Sequence, residues 1–89
     1  MRILIVEDEP KMGDYLKQGL TEAAFVVDLE RNGIDGLHQG LIESYDMMIL
    51  DVMLPGLDGW SVLAGIRKAH QPPHLLKPKQ DEAFQPILV

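Results

Sequence analysis

Apolar positions along the first 70 residues follow two alternating rhythms. Arg2-Ile-Leu-Ile-Val6 is a short continuous apolar run, the pattern of a strand buried on both faces of a parallel sheet. Glu9-Pro10 then opens a helix, since proline is tolerated in a first turn. Met12, Tyr15, Leu16, Gly19, Leu20 and Ala23 recur at helical spacing and predict its inward stripe. Phe25-Val-Val27 is short, β-branched and aromatic, and predicts a second strand. Asn32-Gly33 turns the chain into a second helix with Ile34, Leu37, Leu41 and Ile42 as its stripe. Ser44-Tyr45-Asp46 ends that helix, and Met47 to Leu50 form a third strand. After the loop Gly56-Leu-Asp-Gly59, Trp60 to about Ala69 reads as a third helix with Val62, Leu63 and Ile66 inward. Strand and helix alternate three times, which predicts an α/β fold with a doubly wound parallel sheet.

The pattern breaks after residue 70. Two prolines, Pro72 and Pro73, end the third helix. Pro73-His-Leu-Leu76 has the character of a strand beginning, whereas residues 77–86 show neither period and read as loop or disorder. Ile87-Leu-Val89 is apolar again. The expected organisation is one domain over residues 1–76 and a divergent tail over 77–89.

The strand ends carry the chemistry. Glu7-Asp8 follows the first strand directly and Asp51 follows the third. In an open parallel α/β sheet the carboxyl ends of the strands form the ligand-binding crevice. Carboxylates gathered there repel one another unless a hard cation sits among them, and oxygen ligands of this kind suit Mg²⁺. The plainer reading makes each acid a turn residue or helix cap. A single acid would favour that reading; three at these positions favour a metal and phosphate site.

Composition narrows the classes. The 89 residues are 46% hydrophobic and 25% charged, as in an ordinary soluble globular domain. Without cysteine, thiolate metal sites and disulfides are excluded. Net charge is −6 with no basic cluster, so direct nucleic-acid binding by this chain is not expected. Neither a signal-peptide pattern nor an apolar stretch of roughly 20 residues is present, which predicts a cytoplasmic chain without a membrane span.

Two segments and the spacing between them carry a family resemblance: Met1-Arg-Ile-Leu-Ile-Val-Glu-Asp-Glu9 and Ile49-Leu-Asp-Val-Met-Leu-Pro-Gly-Leu-Asp-Gly-Trp60. The chain resembles the receiver domain of two-component response regulators, with its flavodoxin-like fold. Tyr15-Leu-Lys-Gln-Gly-Leu-Thr-Glu-Ala23 and Phe25-Val-Val-Asp28 are similar to the winged-helix transcriptional regulators that answer copper, silver and other heavy metals. The resemblance implies that Asp51 accepts a phosphoryl group from the phosphohistidine of a sensor histidine kinase. It implies Mg²⁺ ligation by the carboxylates of Asp8 and Asp51 and the backbone carbonyl of Met53, with Glu7 helping through water. Pro55 and Gly56 would shape the loop that brings that carbonyl inward. As a phosphoprotein of a phosphorelay, such a chain is a signalling module and not an enzyme.

Departures from the family pattern matter equally. The family ends its fourth strand with a hydroxyl residue and its fifth with a lysine before proline, yet no Ser or Thr occurs here after Ser61. Lys77-Pro78 looks like the lysine-proline pair but arrives too early for a fourth helix or fifth strand to precede it. The expected fold is therefore incomplete, lacking the last strand and helices, and the alternative function is a non-switching receiver that only binds partners or forms a homodimer or swapped dimer through its open sheet edge. Ala24 replaces the glycine usual after the first helix, at a cost of about 1 kcal/mol if φ is positive there.

Other candidates have simpler explanations. Lys77 lies in a proline-rich context that suits a solvated lysine better than a phosphate partner. His70 and His74 have helical metal-ligand spacing, but Pro72 and Pro73 break the helix between them. His38 is read as a surface residue. Met12, Met47, Met48 and Met53 are read as packing residues, not a copper site. An aspartyl phosphohydrolase would need a second Asp two residues after Asp51, where Met53 stands.

Overall fold

The computed structural model describes residues 1–69 and the backbone of Pro86–Leu88. Its elements run β1 (Arg2–Val6), α1 (Pro10–Glu22), β2 (Val26–Glu30), α2 (Gly33–Ile42), β3 (Met47–Asp51), α3 (Gly59–Ala69) and β4 (Pro86–Leu88). The sheet order is β2-β1-β3-β4. β1 pairs in parallel with β2 on one side and β3 on the other, as the alternating pattern predicts.

β1 is the middle of this arrangement, and Ile3, Leu4, Ile5 and Val6 are all buried. Burying each such aliphatic side chain is worth about 1.5–3 kcal/mol, so β1 anchors whatever follows it. Leu4 and Val6 join Met48, Leu50, Val62, Leu63 and Ile66 in one core beneath α2 and α3. Ile3 and Ile5 point to the opposite face, where α1 lies against β2 with Gly13 close to Leu29. Helices thus cover both faces.

Capping accounts for the helix starts. The Glu9 carboxylate accepts from the Lys11 and Met12 amides ahead of α1, and Asn32 Oδ1 accepts from the Asp35 amide ahead of α2. α1 closes through Ala24 at φ 71, with Phe25 N–H donating to the Leu20 carbonyl and Ala24 N–H to the Thr21 carbonyl. This is the left-handed ending anticipated for a glycine, here occupied by alanine.

Several expectations need correction. β2 spans Val26–Glu30, not Phe25–Val27, because pairing with all of β1 extends it past the apolar run. In α1, Tyr15 is exposed, as are Gly19 and Ala23, and the inward side is Met12, Gly13, Leu16 and Leu20. In α2, Ile34, Leu41 and Ile42 are exposed, and the buried positions are Gly33, Gly36 and Gly40. A Cβ on Gly36 would come within 2.7 Å of Val6, and one on Gly40 within 2.7 Å of Ile66. Of the predicted stripe only Leu37 packs against the core, and the rest of the contact is made by the α2 backbone, which a stripe of large apolar residues cannot reveal. α3 buries Val62, Leu63 and Ile66 as expected. Within the expected tail, Pro86–Leu88 forms a strand antiparallel to β3, with Asp51 opposite Pro86. The strand beginning at residues 73–76, the rest of the tail including Lys77, and His70 and His74 lie outside the described residues. Among the described residues, no helix is long and apolar enough to cross a membrane.

Candidate metal site

The register Val6↔Leu50 brings the ends of β1 and β3 side by side, so the residues that follow, Glu7 and Asp51, meet at one rim of the sheet. Glu7, Asp8 and Asp51 each offer a carboxylate oxygen, and these oxygens lie within 4.8 Å of one another. Glu7 is 2% exposed and Asp51 4%, while Asp8 is exposed. The three candidate acids are thus brought together, with two of them in the protein and one at its surface.

Local turns hold the two buried carboxylates. Glu7 Oε1 accepts from the Glu9 amide at 3.0 Å, and Asp51 Oδ1 accepts from the Met53 amide at 3.1 Å. Turn formation and clustering are therefore compatible, since each carboxylate keeps a second oxygen. Among the described residues, no lysine or arginine pairs with these acids; Arg2 and Arg31 are paired elsewhere. Burial pushes the Glu7 carboxyl up to about 7, with the negative charges of Asp51 and Asp8 adding to it. Burial also raises Asp51, and the Met53 amide offsets part of that rise.

The set fits a magnesium ion. Three carboxylate oxygens within 4.8 Å of one another are the hard donors this ion takes. The fourth candidate, Met53, has an exposed side chain and so is not the packing residue expected of it. Among the described residues its carbonyl accepts no hydrogen bond, whereas that of Val52 accepts from Gly59 and that of Pro55 from Gly33 and Leu57.

The loop after β3 is fixed at both ends. Gly59 N–H donates to the Val52 carbonyl at 3.0 Å, and a Cβ on Gly59 would sit 2.2 Å from the Asp51 carbonyl oxygen. Asp58 caps α3 through the Ser61 amide at 2.8 Å. In the sequence Asp58-Gly59 reads only as loop and helix start, and the Asp-Gly pair before a helix is the signal for this tight turn. Val52, Met53, Leu54, Asp58 and Trp60 line a shallow open groove in this loop region.

Comparison with known proteins agrees with this geometry. The sequence matches the response regulator receiver domain over residues 3–83. The chain belongs to the response regulator receiver family. This receiver is 58% identical over 82 residues to the transcriptional activator protein IrlR of Burkholderia pseudomallei, covering 92% of this chain and 36% of IrlR. It is 52% identical over 71 residues to the transcriptional regulatory protein CusR of Escherichia coli, covering 80% of this chain and 31% of CusR. The receiver thus spans about a third of the length of the curated relatives it matches. The narrower resemblance drawn from residues 15–28 falls on this group of transcriptional regulators. Among solved structures it is similar to the response regulator TrrA of Thermotoga maritima, in complex with Mg²⁺-BeF, with a TM-score of 0.71 and 40% identity over 75% of this chain and 58% of that one. TrrA bound to the histidine kinase ThkA gives a TM-score of 0.73 and 38% identity, covering 81% of this chain and 62% of that one.

Proposed function

We propose that this receiver takes a phosphoryl group onto a carboxylate oxygen of Asp51 from the phosphohistidine of a sensor histidine kinase, with Mg²⁺ bound by Asp8, Asp51 and the Met53 carbonyl and, through water, by Glu7. The observation that carries this reading is the convergence of three carboxylates from two neighbouring strand ends with no cation of the described chain to neutralise them. TrrA, a relative of known structure, is found both with Mg²⁺-BeF and with a histidine kinase, which supports the same partners here.

The residues divide the work simply. Asp51 attacks phosphorus through the oxygen left free by the Met53 amide, and the bond from phosphorus to the histidine nitrogen breaks with its electron pair staying on the imidazole. Mg²⁺, when bound, supplies the positive charge that offsets repulsion between the carboxylate and the anionic phosphoryl group. Glu7 holds its place beside Asp51 through the Glu9 amide, and Asp8 reaches the same point from the surface. Little more is required, since phosphoryl transfer depends mainly on positioning and charge. Met53 stands where a hydrolase would need an acid, so rapid turnover is not expected.

The test is labelling by radioactive acetyl phosphate with and without Mg²⁺. Incorporation that needs Mg²⁺ and disappears in Asp51→Asn is the expected result; incorporation that survives this substitution removes the assignment.

A second reading, a receiver that does not switch, rests on a separate observation. The sheet position beside Asp51 is taken by Pro86 of an antiparallel strand, and residues 62–89 contain no Ser or Thr. On that reading Asp51 is labelled, but amide hydrogen exchange and the oligomeric state stay the same before and after labelling, and the chain acts by binding a kinase or another copy of itself. DNA binding by this chain forms no part of either reading.

A further inference from the structure

The start of α2 touches the loop that carries the Met53 amide, and it does so without a side chain. Gly33 N–H donates to the Pro55 carbonyl at 3.1 Å, and Leu57 N–H donates to the same oxygen at 3.0 Å. A Cβ on Gly33 would lie 1.5 Å from the Leu57 carbonyl oxygen and 2.5 Å from its carbonyl carbon, which is backbone and cannot rotate away. One residue on, Ile34 lies against Gly56, which has φ +80; a Cβ there would meet Ile34 at 3.2 Å. Between this contact and Asp51 run only Val52 to Leu54, and Met53 in that stretch orients the Asp51 carboxylate. The far end of the loop is already held by the bond from Gly59 to Val52. The loop therefore has two attachments, and the one to α2 is possible only because residue 33 has no side chain.

We infer that Gly33 is a positioning residue for the acceptor site: by letting α2 grip the Pro55 carbonyl, it sets the pose of residues 52–57 and with it the Met53 amide and carbonyl beside Asp51. This rests on the metal and acceptor reading of that site. Any added side chain at residue 33 must push the Leu57 peptide away, breaking the shared hydrogen bond and moving Met53 relative to Asp8 and Asp51. A displacement on the scale of 1 Å at a reacting centre costs about a hundredfold in rate.

Gly40 provides a matched control. It lies two turns further along the same buried side of α2, and the three atoms nearest a Cβ there belong to the side chains of Ile66 and Met48, not to the loop. Gly33→Ala and Gly40→Ala are compared with the unsubstituted chain for cooperative melting, Mg²⁺ dissociation constant from Trp60 fluorescence, and initial rate of acetyl phosphate labelling, the last two per folded molecule. Both substitutions lower the melting temperature. Gly33→Ala is expected to weaken Mg²⁺ binding and slow labelling by roughly tenfold to a hundredfold, while Gly40→Ala keeps both within experimental error. If Gly33→Ala does not fold, Gly56→Ala disturbs the same contact from the loop side and is expected to show the same loss in smaller degree. A folded Gly33→Ala, or in its place a folded Gly56→Ala, that binds Mg²⁺ and is labelled like Gly40→Ala overturns the inference. Silence of the unsubstituted chain and Gly40→Ala alike overturns the acceptor reading itself, and the inference with it.

Discussion

Acidic groups gather in two places, and they are treated in opposite ways. Around Arg2, at the start of β1, the guanidinium meets Asp28 at 3.0 Å and Glu43 at 3.2 Å, the Arg2 amide donates to Asp46, and the ring of Tyr45 lies beneath the cation. Tyr45 also donates to Asp28 and accepts from Gln39. Burial alone would raise Asp28, but Tyr45 and Arg2 together pull it below the usual carboxylate range. At the other ends of β1 and β3, Glu7 and Asp51 each accept from one backbone amide, no cation among the described residues pairs with Glu7, Asp8 or Asp51, and Glu7 and Asp51 are pushed upward. The same sheet thus carries one acidic cluster with its own cation and one with none among the described residues. The lesson is that crowding of carboxylates does not mark a site; crowding without a partner does.

This contrast can be broken most directly with magnesium. At about 100 times its dissociation constant, a ligand that binds only the folded state adds about 2.7 kcal/mol of stability. Urea unfolding with and without Mg²⁺ should show this gain in the unsubstituted chain and lose most of it in Asp8→Asn. A full gain in Asp8→Asn would place the ion elsewhere.

The next effect is in the pH profile. Because the folded chain holds the Glu7 proton more tightly than the unfolded chain, the associated stability is fully present below about pH 4.5 and is lost as pH rises through about 7. Asp28 works in the other direction: its folded value is depressed, so its contribution is present above about pH 3.8 and is lost as pH falls. Metal-free melting between pH 4 and 8 should therefore decline toward neutrality, and Glu7→Gln should flatten that decline while leaving the loss below pH 4 intact. An unchanged slope in Glu7→Gln would show that its carboxyl is not the group responsible.

Smaller again is Tyr45→Phe, which removes a hydroxyl shared by Asp28 and Gln39 and should cost about 1 kcal/mol. Mg²⁺ affinity should not move, since the network around Arg2 neither borrows from nor lends to the acidic rim. A parallel loss of Mg²⁺ binding would mean the two clusters are coupled. The smallest change is expected at Ala24, remote in role from both clusters. At φ 71, Ala24→Gly relieves left-handed strain and should stabilise by up to about 1 kcal/mol, read as an equal upward shift of melting with and without Mg²⁺.

Much of this was legible along the chain because the relevant signals are local. A continuous apolar run announces β1, Glu9-Pro10 and Asn32 announce helix starts, and acids placed immediately after strands announce a rim. Side-chain size is a poor guide to the inward faces of α1 and α2. Tyr15 and Ile34 are large and exposed, while Gly13 and Gly33 are small and buried. Glycine carries no apolar signal, so a helix that packs by its backbone leaves no stripe to read. The antiparallel direction of Pro86–Leu88 was equally hidden, because three residues that pair through backbone bonds look alike in either orientation.

The order of strands and helices, the identity of the three acids and their position at strand ends were determined by the amino-acid sequence itself, since periodicity and residue chemistry act between near neighbours. Whether those acids share one point, which of them are shielded from water, and which glycine the loop after β3 leans on were decided only when the strands paired and α2 closed over them. These are properties of distance and burial between residues far apart in the chain, and they exist only in the folded molecule.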